Sequence, residues 1–249
     1  MIPRGGDIMF VLFEKSRLVA VLLLILATIA ALFFAAHYPI SAEEPGDHVR
    51  PVIILDAGHG GEDGGASSAD GLLESEINLQ IVKTMQQLFQ FVGQEPVLTR
   101  EGEAAIYSAD ASTLREKKVS DLKNRVERVN TYEGCGILLS IHQNSLPSHP
   151  DVRGAQVFFN SVVPAESIAG TLQATLNQTI NTGRGKSARQ MGTEVFLMKE
   201  SKVPGVLVEC GFLSNPSESL QLASPEHQLK LSASIVAGYL KFITNEDIV

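Results

Sequence analysis

With 249 residues and 44% hydrophobic content, the chain is long enough for one well-buried catalytic domain and a short targeting segment. Its net charge of −8 comes without basic blocks, which excludes the phosphate-tracking surface of nucleic-acid binders, so no nucleic-acid partner is expected. Cys135 and Cys210 lie far apart and form no CxxC pair, which argues against a disulfide framework or a cysteine zinc site and predicts two small buried hydrophobes.

Lys15 and Arg17 precede an apolar run from Leu18 to Ala36, LVAVLLLILATIAALFFAA, in which nothing is more polar than Thr28. A helix needs roughly 20 such residues to cross a bilayer. The basic flank keeps its own side cytoplasmic, which predicts that the rest of the chain is exported. Residues 1–40 therefore read as a signal peptide or membrane anchor. Ile40-Ser41-Ala42 is not a clean A-x-A cleavage site and the run exceeds a usual h-region, which favours the anchor. A polar linker, 41–50, follows.

From 51 to 245 short apolar runs alternate with amphipathic segments. This rhythm predicts one α/β domain, with a mixed, mainly parallel central sheet flanked by helices and an N-terminal hydrophobic helix before it. VIILD (Val52 to Asp56) reads as a buried strand, and Ile77, Ile81, Met85, Leu88, Phe89 and Val92 recur at helical spacing, with Ser75 placed to cap that helix. VLTR (Val97 to Arg100) reads as the next strand and Glu101 to Leu114 as an inserted loop. A helix with Val119, Leu122, Val126 and Val129 on one face follows. ILLSI (Ile137 to Ile141), AQVFF (Ala155 to Phe159), EVFLM (Glu194 to Met198) and GVLVE (Gly205 to Glu209) read as strands. Ile168 to Ile180 and Leu229 to Ile243 read as helices.

Three groups able to do chemistry stand at strand ends: His59 after VIILD, His142 after ILLSI, and Glu209 closing GVLVE. Ligands of open α/β sheets sit at the carboxyl ends of the strands, so these groups are the ones able to converge. Gly58, Gly60, Gly61, Gly64 and Gly65 let the chain present His59 in a tight loop. A phosphate cradle fails on spacing, because G-x-G-x-x-G from Gly58 requires glycine where Asp63 stands. Gly185-Lys186-Ser187 fails as a Walker loop, which requires glycine where Ile180 stands. Two histidines and one carboxylate with an open fourth position form a recurring catalytic zinc set. Glu62 and Asp63 lie too close to His59 in the loop to be obvious partners. Glu74 and Glu76 both flank the helix start, and ligand chemistry by itself does not choose between them.

The segments LDAGHGGEDGGA, GLLESEINL, LTR, SIHQNS and GVLVECGFLSNPSE, in this order, resemble the zinc-dependent N-acetylmuramoyl-L-alanine amidases of cell-wall autolysins. The resemblance covers Val52 to Ile243 and implies a catalytic amidase domain over 51–245. It implies Zn2+ held by His59, Glu74 and His142, with Glu209 as general base and acid, and leaves Glu76 off the metal. Ala57 stands where many relatives have proline, a departure that bears on loop stiffness. The apolar segment joined directly to the domain and the YSADASTLREKKVSDLKNRVERVN stretch resemble the germination-specific amidases of endospore formers. That resemblance implies peptidoglycan of the spore cortex as substrate and a muramic acid deacetylase acting on the product. In the clostridial branch it also implies an accessory lipoprotein. A zinc peptidase acting on stem peptides and a non-catalytic wall-binding protein are the rival expectations. Arg100 is expected to make structural contacts, Asn144 to hold substrate or satisfy its turn, Gln143 to sit on the far side of the strand end, and Cys210 to point away from Glu209.

Overall fold

The computed structural model describes residues 20, 23–28 and 50–246. The predicted linker apart from Arg50 and most of the apolar run lie outside them; residues 20 and 23–28 are helical and exposed. No helix of the described residues is long and apolar enough to cross a membrane.

From Arg50 onward the chain builds a six-stranded sheet with helices on both faces. In chain order the elements are β1 (Val52–Ala57), α1 (Glu74–Phe91), β2 (Val97–Leu98), α2 (Leu114–Asn130), β3 (Gly136–Asn144), β4 (Gln156–Phe159), α3 (Ala165–Thr179), β5 (Arg189–Gln190), α4 (Phe196–Glu200), β6 (Gly205–Phe212), α5 (Pro216–Leu222) and α6 (Pro225–Glu246). The strand order is β2-β1-β3-β6-β4-β5. β2, β1, β3 and β6 run parallel, and β4 turns antiparallel to β6. The mixed, mainly parallel sheet expected from the sequence is thus present. β1 pairs with β2 on one side and β3 on the other, so the chain reverses its winding between β1 and β3. In such sheets that switch point opens a crevice at the carboxyl ends of the strands.

The larger core lies on one face. There Ile53 and Leu55 of β1 and Leu139 and Ile141 of β3 meet Ile81, Met85 and Phe89 of α1, Leu172 and Leu176 of α3, and Ile235 and Tyr239 of α6. On the other face Ile54, Leu138 and Leu207 pack on Val129 of α2 and on Leu197 and Met198 of α4. Alternate residues of each central strand feed opposite layers, as a sheet buried on both sides requires.

Several local expectations are corrected. Ser75 does not cap α1: the helix begins at Glu74, with Leu73 as N-cap and no side-chain cap. Carbonyls of the preceding loop substitute for it, since Glu74 N–H donates to Ala66 O at 2.9 Å and Ser75 N–H to Gly64 O at 3.1 Å. EVFLM is not a strand; Leu197 and Met198, adjacent in sequence, are both buried in one core, which the short helix α4 allows and an alternating strand does not. Val119 is 45% exposed, and the buried stripe of α2 is Asp121, Arg125 and Val129, because that helix packs on a polar partner. β5 has two exposed residues and no apolar alternation, and so gives no sequence signal. Cys135 is exposed, while Cys210 is the expected buried hydrophobe; both are free thiols.

The polar partner of α2 is Asp56, buried in β1. Its carboxylate accepts from Arg125 Nη1 at 2.7 Å, Ser140 Oγ at 2.7 Å and Thr99 Oγ1 at 2.6 Å. Burial alone would raise this carboxyl, but the Arg125 guanidinium and the two hydroxyls outweigh it and hold it at about 2. A folded-state value below the ordinary 3.8 means that the contribution is complete above roughly pH 4 and disappears as pH falls through about 2. Asp56→Ala should therefore cost about 3–5 kcal/mol at neutral pH, as removal of one partner of a buried pair does. Urea unfolding at pH 7 measures that loss, and repetition towards pH 2 should show the wild type converging on the variant.

Candidate metal centre

Three residues predicted from sequence meet at the switch point. His59 lies two residues past β1, His142 near the end of β3, and Glu74 in the first turn of α1. One potential ligand atom from each lies within 4.8 Å of the other two. Glu74 Oε1 stands 2.9 Å from His142 Nδ1 and 3.3 Å from His59 Nε2. The imidazoles meet edge to face with centroids 5.1 Å apart. Glu74 is 3% exposed whereas Glu76 points to solvent, so the choice that ligand chemistry left open is made by the rotation of α1.

The glycine-rich loop makes this gathering possible. His59 takes φ +62°, a left-handed conformation uncommon outside glycine. A Cβ on Gly58 would lie 2.2 Å from the His142 ring, and a Cβ on Gly65, itself at φ +70°, would lie 2.6 Å from Glu74 Oε2 and 2.8 Å from the His59 ring. The Glu74 carboxylate is also fixed from behind. Ala66 N–H donates to Oε2 at 2.8 Å, and Gln143 N–H to Oε1 at 3.1 Å. Gln143 faces away from the cluster, as expected, and its Nε2 donates to Asn78 Oδ1 at 3.1 Å.

Electrostatically the spot is built to hold positive charge. Burial would lower His59, but hydrogen bonds to Asp63 and Glu74 raise it to about 9. Burial would raise Glu74, but the two histidines hold it well below the usual carboxylate range. Glu209 behaves oppositely. It pairs in register with His142 across β3 and β6, so the two side chains share a face of the sheet. Its Oε2 is buried without a hydrogen-bond partner among the described residues, and burial pushes its carboxyl up to about 7. The register shifts between His142 and Asn144, the kind of irregularity that re-aims side chains beside functional sites. Two imidazole nitrogens, a carboxylate oxygen and an unpartnered carboxylate beside them fit a divalent zinc with an open position.

Arg100 is structural, as expected: it is buried and donates to the carbonyls of Ala57, Gly58, Ser75 and Gly102. Asn144 O accepts from Leu213 N–H at 2.8 Å, which ties the end of β3 to the chain beyond β6. Cys210 points into the core, and burial raises its thiol far above the ordinary range. Sequence reasoning set Asp63 aside as too near His59, yet Asp63 Oδ2 lies 3.0 Å from His59 Nδ1; the i,i+4 spacing across a turn-rich loop was the available signal.

Fold and site together define an α/β enzyme class with a histidine–carboxylate cluster at the carboxyl edge of a parallel sheet. The family described as N-acetylmuramoyl-L-alanine amidase matches residues 53–241, and this chain belongs to that family. It is 32% identical to the germination-specific N-acetylmuramoyl-L-alanine amidase of Bacillus subtilis, over 78% of this chain and 81% of that one. The CwlD amidase of Clostridioides difficile, solved in complex with the GerS lipoprotein, matches with TM-score 0.74 and 31% identity, covering 78% of this chain and 99% of that one. AmiC2 of Nostoc punctiforme, another N-acetylmuramoyl-L-alanine amidase, matches with TM-score 0.66 and 28% identity, over 78% of this chain and 97% of that one. The chain is therefore an amidase of peptidoglycan and acts outside the cytoplasm.

Gly58→Ala tests the packing argument. Its methyl displaces the His142 ring, so the variant should keep its unfolding temperature in chelator yet retain much less metal in a chelator competition.

Proposed function

We propose that this enzyme hydrolyses the amide between the lactyl group of N-acetylmuramic acid and L-alanine with a zinc ion held by His59, Glu74 and His142. Zinc, when bound, would polarise the scissile carbonyl and acidify the attacking water. Glu209 takes the water's proton on its carboxylate and delivers it to the leaving amine. The observation that carries this reading is the unpartnered Glu209 Oε2 beside a cluster whose ligand atoms lie within 4.8 Å. A carboxyl raised to about 7 by burial is poised to accept and return a proton near neutral pH. No nucleophilic side chain is needed, and Cys210 faces the wrong way.

The physiological substrate in this reading is spore-cortex peptidoglycan, from which peptide removal prepares muramic acid for conversion to muramic δ-lactam by a deacetylase. The name of the Bacillus subtilis relative supports the germination role, and the GerS complex of the Clostridioides difficile relative supports an accessory lipoprotein. The run from Leu18 to Ala36, with its basic flank, carries the domain across the membrane as signal or anchor.

Metal analysis should find about one zinc per chain, and chelation should abolish activity until zinc is returned. Mass spectrometry of digested peptidoglycan should detect released peptides beginning with L-alanine; cuts beyond that residue would instead indicate a stem-peptide peptidase. Glu209→Gln should retain zinc while kcat falls roughly 10²- to 10⁴-fold. Full activity in that variant would remove Glu209 from the proposed role.

A further inference from the structure

Asp63 has no part in the chemistry above, yet its side chain is the group that engages the rear nitrogen of His59. Its Oδ2 lies 3.0 Å from His59 Nδ1, while Nε2 on the other side of the ring faces Glu74 Oε1 at 3.3 Å. A neutral imidazole has one donor nitrogen and one acceptor nitrogen. A carboxylate at Nδ1 keeps the proton there and leaves the lone pair on Nε2, the nitrogen turned towards Glu74.

Asp63 is itself gripped from α2. Lys118 Nζ stands 3.1 Å from the same Oδ2, and the adjacent Lys117 pairs with the adjacent Glu62, which also meets Tyr107 Oη at 3.3 Å. Two consecutive lysines of one helix thus hold two consecutive acids of the loop. The loop does not depend on the Asp63 side chain for its shape. Gly60 N–H donates to Asp63 O at 2.9 Å and Asp63 N–H to Gly60 O at 3.1 Å, and both main-chain bonds survive truncation at Cβ. The side chain's remaining loop contact, from Gly65 N–H to Oδ1, is long at 3.4 Å.

We propose that Asp63 is a positioning residue for the metal centre: it accepts the His59 Nδ1–H, holds the ring in the tautomer that presents Nε2 as ligand, and is oriented by Lys118. The proposal rests on the reading of His59, Glu74 and His142 as the ligands, and the test separates the two. Zinc affinity is measured by competition with a chromophoric chelator for the wild type, Asp63→Ala, Asp63→Asn and His142→Ala, alongside thermal unfolding of each in its metal-free form. His142→Ala should lose zinc outright. Asp63→Ala should lose roughly 10- to 100-fold in affinity, the usual effect of removing such an outer partner, while its metal-free form still unfolds cooperatively and loses only the small contribution of a partly exposed ion pair. Asp63→Asn keeps an acceptor for Nδ1–H but loses the charge and the Lys118 pair, so it should fall between wild type and Asp63→Ala. Wild-type affinity in Asp63→Ala, or in Asp63→Asn if the alanine variant also unfolds early, overturns the role of Asp63 and leaves the ligand set standing. Wild-type affinity in His142→Ala overturns the ligand set itself.

Discussion

Arg125 is the side chain on which the arrangement of the site depends. It projects from α2, is buried, and donates to Asp56 Oδ1 at 2.7 Å, Ala57 O at 2.6 Å, His59 O at 2.6 Å and Asp121 Oδ2 at 2.8 Å. Arg100 adds bonds to Ala57 O and Gly58 O, so two guanidiniums grip three consecutive carbonyls where β1 ends. Well-packed apolar groups often replace buried charge networks with no loss of stability, so this one matters chiefly for geometry. It holds the chain in the left-handed turn at His59, which directs that imidazole over the switch point instead of along the strand.

From that anchor the other groups follow by register and rotation. β1 fixes β3 beside it, and β3 fixes β6, which puts His142 and Glu209 side by side. The first turn of α1, closed by loop carbonyls, aims Glu74 inward. Two glutamates therefore meet one cluster in opposite states. Glu74 accepts hydrogen bonds from main-chain and imidazole groups and stays ionised; Glu209 is buried with an empty oxygen and rises to about 7. Such a separation of two carboxylates by environment lets a single site hold a fixed negative charge beside a group able to take up a proton.

The strand-end histidines were legible because short continuous apolar runs mark strands buried on both faces, and chemistry in α/β sheets collects at their carboxyl ends. Glu209 was legible on the same ground, although β6 continues past it to Phe212. The helix start was less so. Ser75 has the right residue type for a cap, but carbonyls of Gly64 and Ala66, brought near only by the loop's path, took that role. The inward face of α2 was misread for a related reason. Its apolar positions suggest an apolar partner, whereas the actual partner is Asp56 and a row of carbonyls, which attract Asp121 and Arg125 instead of Val119.

The sequence by itself determined the α/β alternation, the strand ends carrying His59, His142 and Glu209, and the glycines that permit a tight loop, because each is written in local periodicity or residue type. It also narrowed the third member of the cluster to Glu74 or Glu76. Within the sequence only the resemblance to the amidases singled out Glu74, and the fold supplies the physical reason, since the rotation of α1 about its axis buries Glu74 and exposes Glu76. Only the fold, too, brought Lys118 to Asp63 behind His59 and Arg125 beneath it, because those contacts join segments whose separation along the chain carries no trace of their distance in space.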